Sequence, residues 1–449
     1  MTKTMKDSGI EWIGEIPEDW SITRIKSCIA KRDSGAWGEE ANNSEGDCIC
    51  LRIADFDYNK FRFSDSDDLT IRHYPLNVIE KLKLEKNDIL IEKSGGGEKT
   101  PVGRTVLFDK IYTALYANFM DRLRCSNIVK PSYMQYVFVA FYKNEYTRNY
   151  IKQTTGIQNL DLTAMLSKEL MPLPSMPEQQ KIADFLDEKC SHIDSILEKT
   201  KASINECKQL KQSVITQAVT KGIKPNRPMK DSGIEWIGEI PEDWDISKVK
   251  REFSYGSGLP ITKENLIENG VQVISYGQIH AKFNTGVKLD EKLYRYVSED
   301  YLETNSNSLV NKYDFIFADT SEDLEGCGNC AYISEQMTLF AGYHTIILHS
   351  KKAQDNRYIA YLFKSQMWRN QITSRVTGIK VFSISKKILN ACTLLIPSFA
   401  EQIEIANYLD LKCSEIDKLI TKKEQLIKEL ETYKKSLIYE YVTGKKEVI

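Results

Sequence analysis

The sequence predicts an α/β (α+β) protein made of two globular domains in tandem, each followed by a long helical rod. Three observations carry that prediction. MKDSGIEWIGEIPEDW occurs twice, unchanged, at 5–20 and 229–244 of a 449-residue chain. Two further segments return in altered form. TTGIQNLDLTAML (154–166) reappears as VTGIKVFSISKKIL (376–389), and LPSMPEQQKIADFLDEKCSHID (173–194) as IPSFAEQIEIANYLDLKCSEID (396–417). The offset stays at 222 to 224. That is far beyond the ~20–50 residues of a solenoid repeat, so the duplicated unit is a whole domain with its connector. Third, each unit ends in a long stretch with apolar residues at steps of three and four.

Each unit opens on the repeated segment, which is acidic: the net charge is −3 over residues 1–20 and −4 over 229–244. Trp12, Ile13, Ile16 and Trp20, with Trp236, Ile237, Ile240 and Trp244, read as an apolar anchor seated on the rods or on a partner protein. The stretches that follow, 21–172 and 245–396, diverge, and each carries a surplus of two positive charges. Within them NDILIEKSGGG (87–97) and KYDFIFADTSED (312–323) read as short apolar strands running into loops. Residues 131–156 and 356–378 read as helices ending at a glycine C-cap.

The rods follow. Ile182, Leu186, Ile193, Ile196, Leu197, Ile204, Leu210, Val214 and Ala218 mark the first. Leu409, Ile416, Leu419, Leu426, Leu430, Tyr433, Leu437 and Tyr441 mark the second. Separated by Lys, Glu and Gln, they form a coiled-coil seam, the alternative being an ordinary amphipathic helix on its own domain. At 1.5 Å per residue, ~45 residues make a rod of roughly 65 Å. KGIKPNRP (221–228) ends the first rod and opens the second unit. The predicted boundaries are 1–176 and 223–399 for the domains, with 177–222 and 400–446 for the helices.

Hydrophobic residues at 41%, charged residues at 28% and a net charge of −2 describe an ordinary soluble protein, for which the bulk charge neither demands nor forbids nucleic acid. No apolar run approaches membrane-spanning length and MTKTMKDSGIEW has no apolar signal core, so a cytoplasmic location without membrane contact is expected, with the ten cysteines reduced.

Enzymatic motifs are missing. SGGGEKTPVGR (94–104) departs from a P-loop because Glu98 precedes Lys99 where glycine is required. Its glycines and cations suit approach to a phosphate or a base edge, or simply a mobile surface loop. The matching loop ADTSEDLEGCGNC (318–330) is acidic, able to accept from cytosine amino groups or merely solvated. Cys327 and Cys330 form a C-x-x-C without a second pair at zinc spacing, and the five histidines sit in no ligand or triad spacing.

These features together resemble the specificity subunit of type I restriction-modification enzymes. The resemblance rests on SGIEWIGEIPEDW before each half, the TGI and LPxxxEQxxIAxxLDxKCSxID junctions, GAWGEEANNSEGDCICLRIADFD (35–57), KSGGGEKTPVGR, SGLPITKEN (257–265), ISYGQIH (274–280) and FADTSEDLEG (317–326). It implies two target-recognition domains, each reading one half of a bipartite double-stranded DNA site, and two antiparallel helices that fix the spacing with pseudo-two-fold symmetry. It also implies two methyltransferase subunits carrying S-adenosylmethionine and two restriction-translocase subunits using ATP and Mg. The chain itself would catalyse nothing and hold no cofactor or metal.

The DNA contacts expected on that footing lie in loops shared in position but not in letters. In the first unit they are Lys93, Ser94, Gly95, Lys99 and Arg104, then Thr155, Gly156 and Gln158. In the second they are Tyr276, Gln278, Asp319, Ser321 and Glu322, then Thr377, Gly378 and Lys380. Thr155–Gly156 and Thr377–Gly378 read equally as helix caps. Two rival readings are an autonomous methyltransferase or nuclease, which would bind cofactor alone, and a protein-only scaffold, indifferent to DNA sequence.

Overall fold

A computed structural model describes residues 4–448 except 67, 155, 236, 285 and 379. The chain divides into two compact units, Met1–Ala202 with Lys423–Ile449, and Ser203–Lys422.

In the first unit a six-stranded sheet runs in the order Ile29–Ser34, Met120–Cys125, Ile89–Glu92, Thr105–Leu107, Arg62–Phe63, Phe56–Asp57. Ile89, Leu90 and Ile91 are all fully buried, so this central strand reads as a continuous apolar run rather than an alternation. Asp88, at its start, is paired with the Arg124 guanidinium through both oxygens at 2.8 and 2.9 Å. Helix Pro131–Lys143 buries nine consecutive residues, Tyr133 to Phe141, beside this sheet. It ends earlier than the sequence suggests. Glu145 takes a left-handed φ of 65°, a 3-10 turn follows, and Ile151–Thr154 pairs with Ile157–Leu160 as a hairpin. Gly156 (φ +85°) therefore sits at a hairpin turn and caps no helix.

The second unit repeats the plan with a four-stranded sheet, Phe253–Ser257, Thr345–Ser350, Phe315–Ala318, Cys330–Tyr332. The single helix expected over 356–378 is two, Asn356–Lys364 and Gln366–Thr373. The break falls at Ser365, whose hydroxyl caps the second by accepting from the Trp368 N–H at 3.3 Å. Gly378 lies beyond Thr373 and caps neither.

The long helices span Met176–Lys221 and Phe399–Val442. Within the first unit Ile182, Leu186, Ile193 and Leu197 of one share a core with Leu437, Ile438 and Val442 of the other. Within the second, Ile215, Ala218 and Val219 share a core with Ile405, Ala406 and Leu409. The seam is not closed throughout. Leu210 and Leu419 in the second unit, and Leu426 and Tyr433 in the first, all assigned to it by spacing, are 54%, 46%, 41% and 54% exposed.

The repeated segment is seated on these helices in each unit. Trp12, Ile13, Ile16 and Trp20 are buried in the first core, with the Trp20 indole donating to Glu178 at 3.0 Å. Ile237, Ile240 and Trp244 are buried in the second, with the Trp244 indole donating to Glu401 at 3.2 Å. Trp236 lies outside the described residues. Among the described residues no helix is long and apolar enough to cross a membrane.

Candidate nucleic-acid interface

In the first unit the central strand ends at Glu92 and the chain steps from one sheet to another. The Lys93 N–H donates to the Phe119 carbonyl at 2.9 Å, and the Lys93 carbonyl accepts from the Leu160 N–H at 2.8 Å. Ser94–Gly95 then pairs with Gln158–Asn159, and the Ser94 hydroxyl donates to Asn159 Oδ1 at 2.7 Å. Lys93 is thus fixed at a junction of two sheets. Its ammonium donates to Asp121 Oδ1 and to the Ser34 hydroxyl, both at 2.8 Å. Arg32 reaches the other Asp121 oxygen at 2.7 Å. Burial opposes charge on Asp121, but the Lys93 ammonium, the Arg32 guanidinium and the Ser34 hydroxyl outweigh it and hold this carboxyl below the usual carboxylate range. Phe119, bonded to Lys93 through its carbonyl, is 50% exposed.

Asp121→Asn is expected to cost about 2–3 kcal/mol, less than the ~3–5 of a fully enclosed pair because Lys93 and Arg32 both reach solvent. A depressed carboxyl stabilises the fold above its unfolded value near ~4 and loses that contribution as pH falls through the folded value. Melting curves of the parent and variant should therefore differ at neutral pH and converge in acid.

The second unit builds the same junction from different residues. The Asp319 N–H donates to the His344 carbonyl at 3.1 Å and its carbonyl accepts from Ile384 N–H at 2.7 Å. Thr320–Ser321 pairs with Phe382–Ser383. Asp319 Oδ1 accepts from the Thr320 hydroxyl at 2.7 Å and lies 3.2 Å from His344 Nδ1. His344 is exposed and left-handed (φ 54°), a conformation that costs a non-glycine residue of order 1 kcal/mol. Tyr276 stands edge-on to His344 with ring centroids 5.5 Å apart.

The other predicted contacts divide in two. Lys99, Gly156, Glu322, Thr377, Gly378 and Lys380 are exposed, and Gly95 (φ +110°) has open space where a Cβ would point. Four side chains serve the fold instead. Arg104 is held by Glu92 at 2.8 and 2.9 Å, its guanidinium 3.7 Å from the Tyr58 ring centroid. Gln158 is buried and accepts from the Val102 N–H. Gln278 accepts from the Ser275 N–H in a capping box. Ser321 is buried and donates to the Asp323 carbonyl. Thr155 lies outside the described residues. Sequence reasoning passed over Phe119, His344, Arg32 and Ser34. Only pairing between strands far apart in sequence brings them to Lys93 and Asp319, and nothing local marks them.

All ten cysteines are free thiols, and Cys327 Sγ, half of the C-x-x-C, donates to the Asp323 carbonyl. Among the described residues no group of three or more His, Cys, Asp or Glu could hold a metal ion.

Comparison with known proteins agrees with the duplicated plan. The family described as "Type I restriction modification DNA specificity domain" matches twice, over residues 17–206 and 241–432. The MjaVIII type I restriction enzyme specificity subunit of Methanocaldococcus jannaschii is 26% identical over 428 residues, covering 93% of this chain and 90% of the relative. The EcoKI specificity subunit of Escherichia coli is 23% identical over 418 residues, covering 88% and 82%. Among solved structures, a chain from work on complex assembly and conformational transition of the type I R-M system superposes with a TM-score of 0.70 at 13% identity, covering 96% of this chain and 99% of that one. The HsdS subunit of Thermoanaerobacter tengcongensis gives 0.51 at 13% identity, covering 96% and 98%. With both halves matched and nearly the full length aligned, this chain belongs to the family of type I restriction-modification DNA specificity subunits.

Proposed function

We propose that each unit reads one half of a bipartite double-stranded DNA site, and that the long helices set the distance between the halves and dock two methyltransferase subunits. The observation that carries this reading is the division between repeated and divergent parts. An identical acidic segment is anchored on the helices in both units by its buried tryptophan and isoleucines, while the half-buried junctions at Lys93 and Asp319 share a backbone and differ in chemistry. An acidic anchor is a poor phosphate ligand, and identical residues cannot distinguish different bases. Exposed Leu426 and Tyr433 in the first unit, and Leu419 in the second, supply apolar surface on each unit for protein docking. Catalysis falls to the partners: S-adenosylmethionine sits on the methyltransferase subunits, and ATP and Mg on two restriction subunits that join for cleavage. The target adenine leaves the stack for a pocket on the methyltransferase. The site of action is the cytoplasm. The domains lead into the spacer helices Met176–Lys221 and Phe399–Val442, the second of which ends four residues before the 446 expected from the sequence.

The DNA contacts on this reading are Lys93, Ser94, Gly95, Lys99 and Gly156 in the first unit, and Tyr276, Asp319, Glu322, Thr377, Gly378 and Lys380 in the second. Mapping methylated adenines left by the assembled complex tests the reading. Lengthening both helices by matched whole turns should change the spacer and keep both half-sites. Altered half-sites at constant spacing would overturn the ruler.

A further inference from the structure

The two units carry their edges on one backbone plan, which lets them be compared atom by atom. In each, the residue after the central strand donates its N–H to the loop before the next sheet strand and accepts from the strand that closes the hairpin or ladder: Phe119 and Leu160 for Lys93, His344 and Ile384 for Asp319. Lys93 and Asp319 are therefore equivalent, and they have opposite hydrogen-bond polarity. An ammonium has three donors and no acceptor, whereas a carboxylate is acceptor-only. The described residues use two of the Lys93 donors, on Asp121 and Ser34, and leave the third. They engage Asp319 through Oδ1 and leave Oδ2 without a partner among the described residues. Both side chains are held by neighbours rather than swinging in solvent, so little rotamer entropy remains to be lost on contact.

We infer that Lys93 and Asp319 are specificity-determining residues of opposite sense: Lys93 selects a base edge that presents acceptors, and Asp319 selects one that presents an exocyclic amino group. In the major groove guanine offers two acceptors, O6 and N7, and suits Lys93, while the amino group of cytosine N4 or adenine N6 suits Asp319. Phe119, joined to Lys93 through its backbone, and His344, whose ring lies against Asp319, are the flanking surfaces against which a base or its methyl group packs. The inference rests on the proposed function, because it presupposes that these edges meet DNA.

The test uses the assembled complex with its methyltransferase partners, acting on a random-sequence DNA library, with methylated sites read by sequencing. Asp319→Ala should make one position of a single half-site degenerate, with discrimination there falling about 5- to 150-fold. The other half-site and the spacing should stay fixed. Lys93→Ala should do the same at one position of the opposite half-site. Asp319→Lys should change the preferred base at the Asp319 position from cytosine or adenine to guanine. Melting temperature of each variant complex separates loss of reading from loss of fold. The inference is overturned if, in folded complexes, either alanine variant weakens all sequences equally, leaves every position unchanged, or alters the same half-site as the other. It is also overturned if the affected bases have the wrong polarity. A parent complex that methylates without any bipartite preference would sink the broader reading instead, and the two failures are distinguishable before any variant is made.

Discussion

Trp244→Ala is expected to cost about 3–5 kcal/mol of the second unit's stability, as full truncation of a buried indole does when the site cannot collapse. The side chain is fully buried, its N–H donates to Glu401, and Tyr358 stands edge-on with ring centroids 6.5 Å apart. Glu401 keeps its bond to Arg227, so the cost comes mainly from the cavity and the lost contacts. Trp244→Phe should recover most of it. Thermal unfolding measures both, and a cost under about 1 kcal/mol for the alanine variant would show that the repeated segment is not an anchor.

Lys434→Met should be nearly as damaging, in the first unit. The Lys434 ammonium donates to both Asp194 oxygens at 2.7 and 2.8 Å and to the Asn59 carbonyl at 2.6 Å, and it lies 4.7 Å from the Phe61 ring centroid. Removing one partner of a buried pair leaves the other uncompensated, at a cost of about 3–5 kcal/mol. Burial already lifts the Asp194 carboxyl above its ordinary value, against the pull of Lys434. A raised carboxyl binds protons in the folded state that the unfolded chain has released, so stability falls as pH rises from about 4 through the folded value. Without Lys434 that fall should steepen, and the variant should be closest to the parent in acid. Adding Asp194→Leu should restore much of the loss. The equivalent pair in the second unit, Lys211 and Asp417, has Asp417 half exposed, so Lys211→Met should cost no more than about 1 kcal/mol.

The long helices were legible because a periodicity sustained over ~45 residues outweighs local ambiguity. Even so, spacing alone could not show that Leu419, Leu426 and Tyr433 face outward, because a heptad names a stripe and not what covers it. The stretch after Lys143 misleads for a different reason. Its tyrosines fit a helix or a strand, and the decision is made by pairing with Ser94–Gly95 some sixty residues earlier in the chain. The site shows the same limit. Lys93 and Asp319 could be placed because each follows an apolar strand directly. Arg104, Gln158, Gln278 and Ser321 looked equally available, yet the folded chain turns them inward to satisfy Glu92, Val102, Ser275 and Asp323. A polar residue in a loop is claimed first by unsatisfied groups nearby, and only what is left over is free to meet a ligand.

The discontinuity of the first unit bears on how the chain is made. Ser203–Lys422 is a continuous segment, but the unit begun at the N-terminus needs Lys423–Ile449 to complete it, and Leu437, Ile438 and Val442 belong to the same core as Trp12 and Trp20. At roughly 5–20 residues per second, a ribosome spends about 10–45 s on the intervening segment. The half translated first is therefore the half that closes last, and through that interval it presents an unfinished apolar core to the cell.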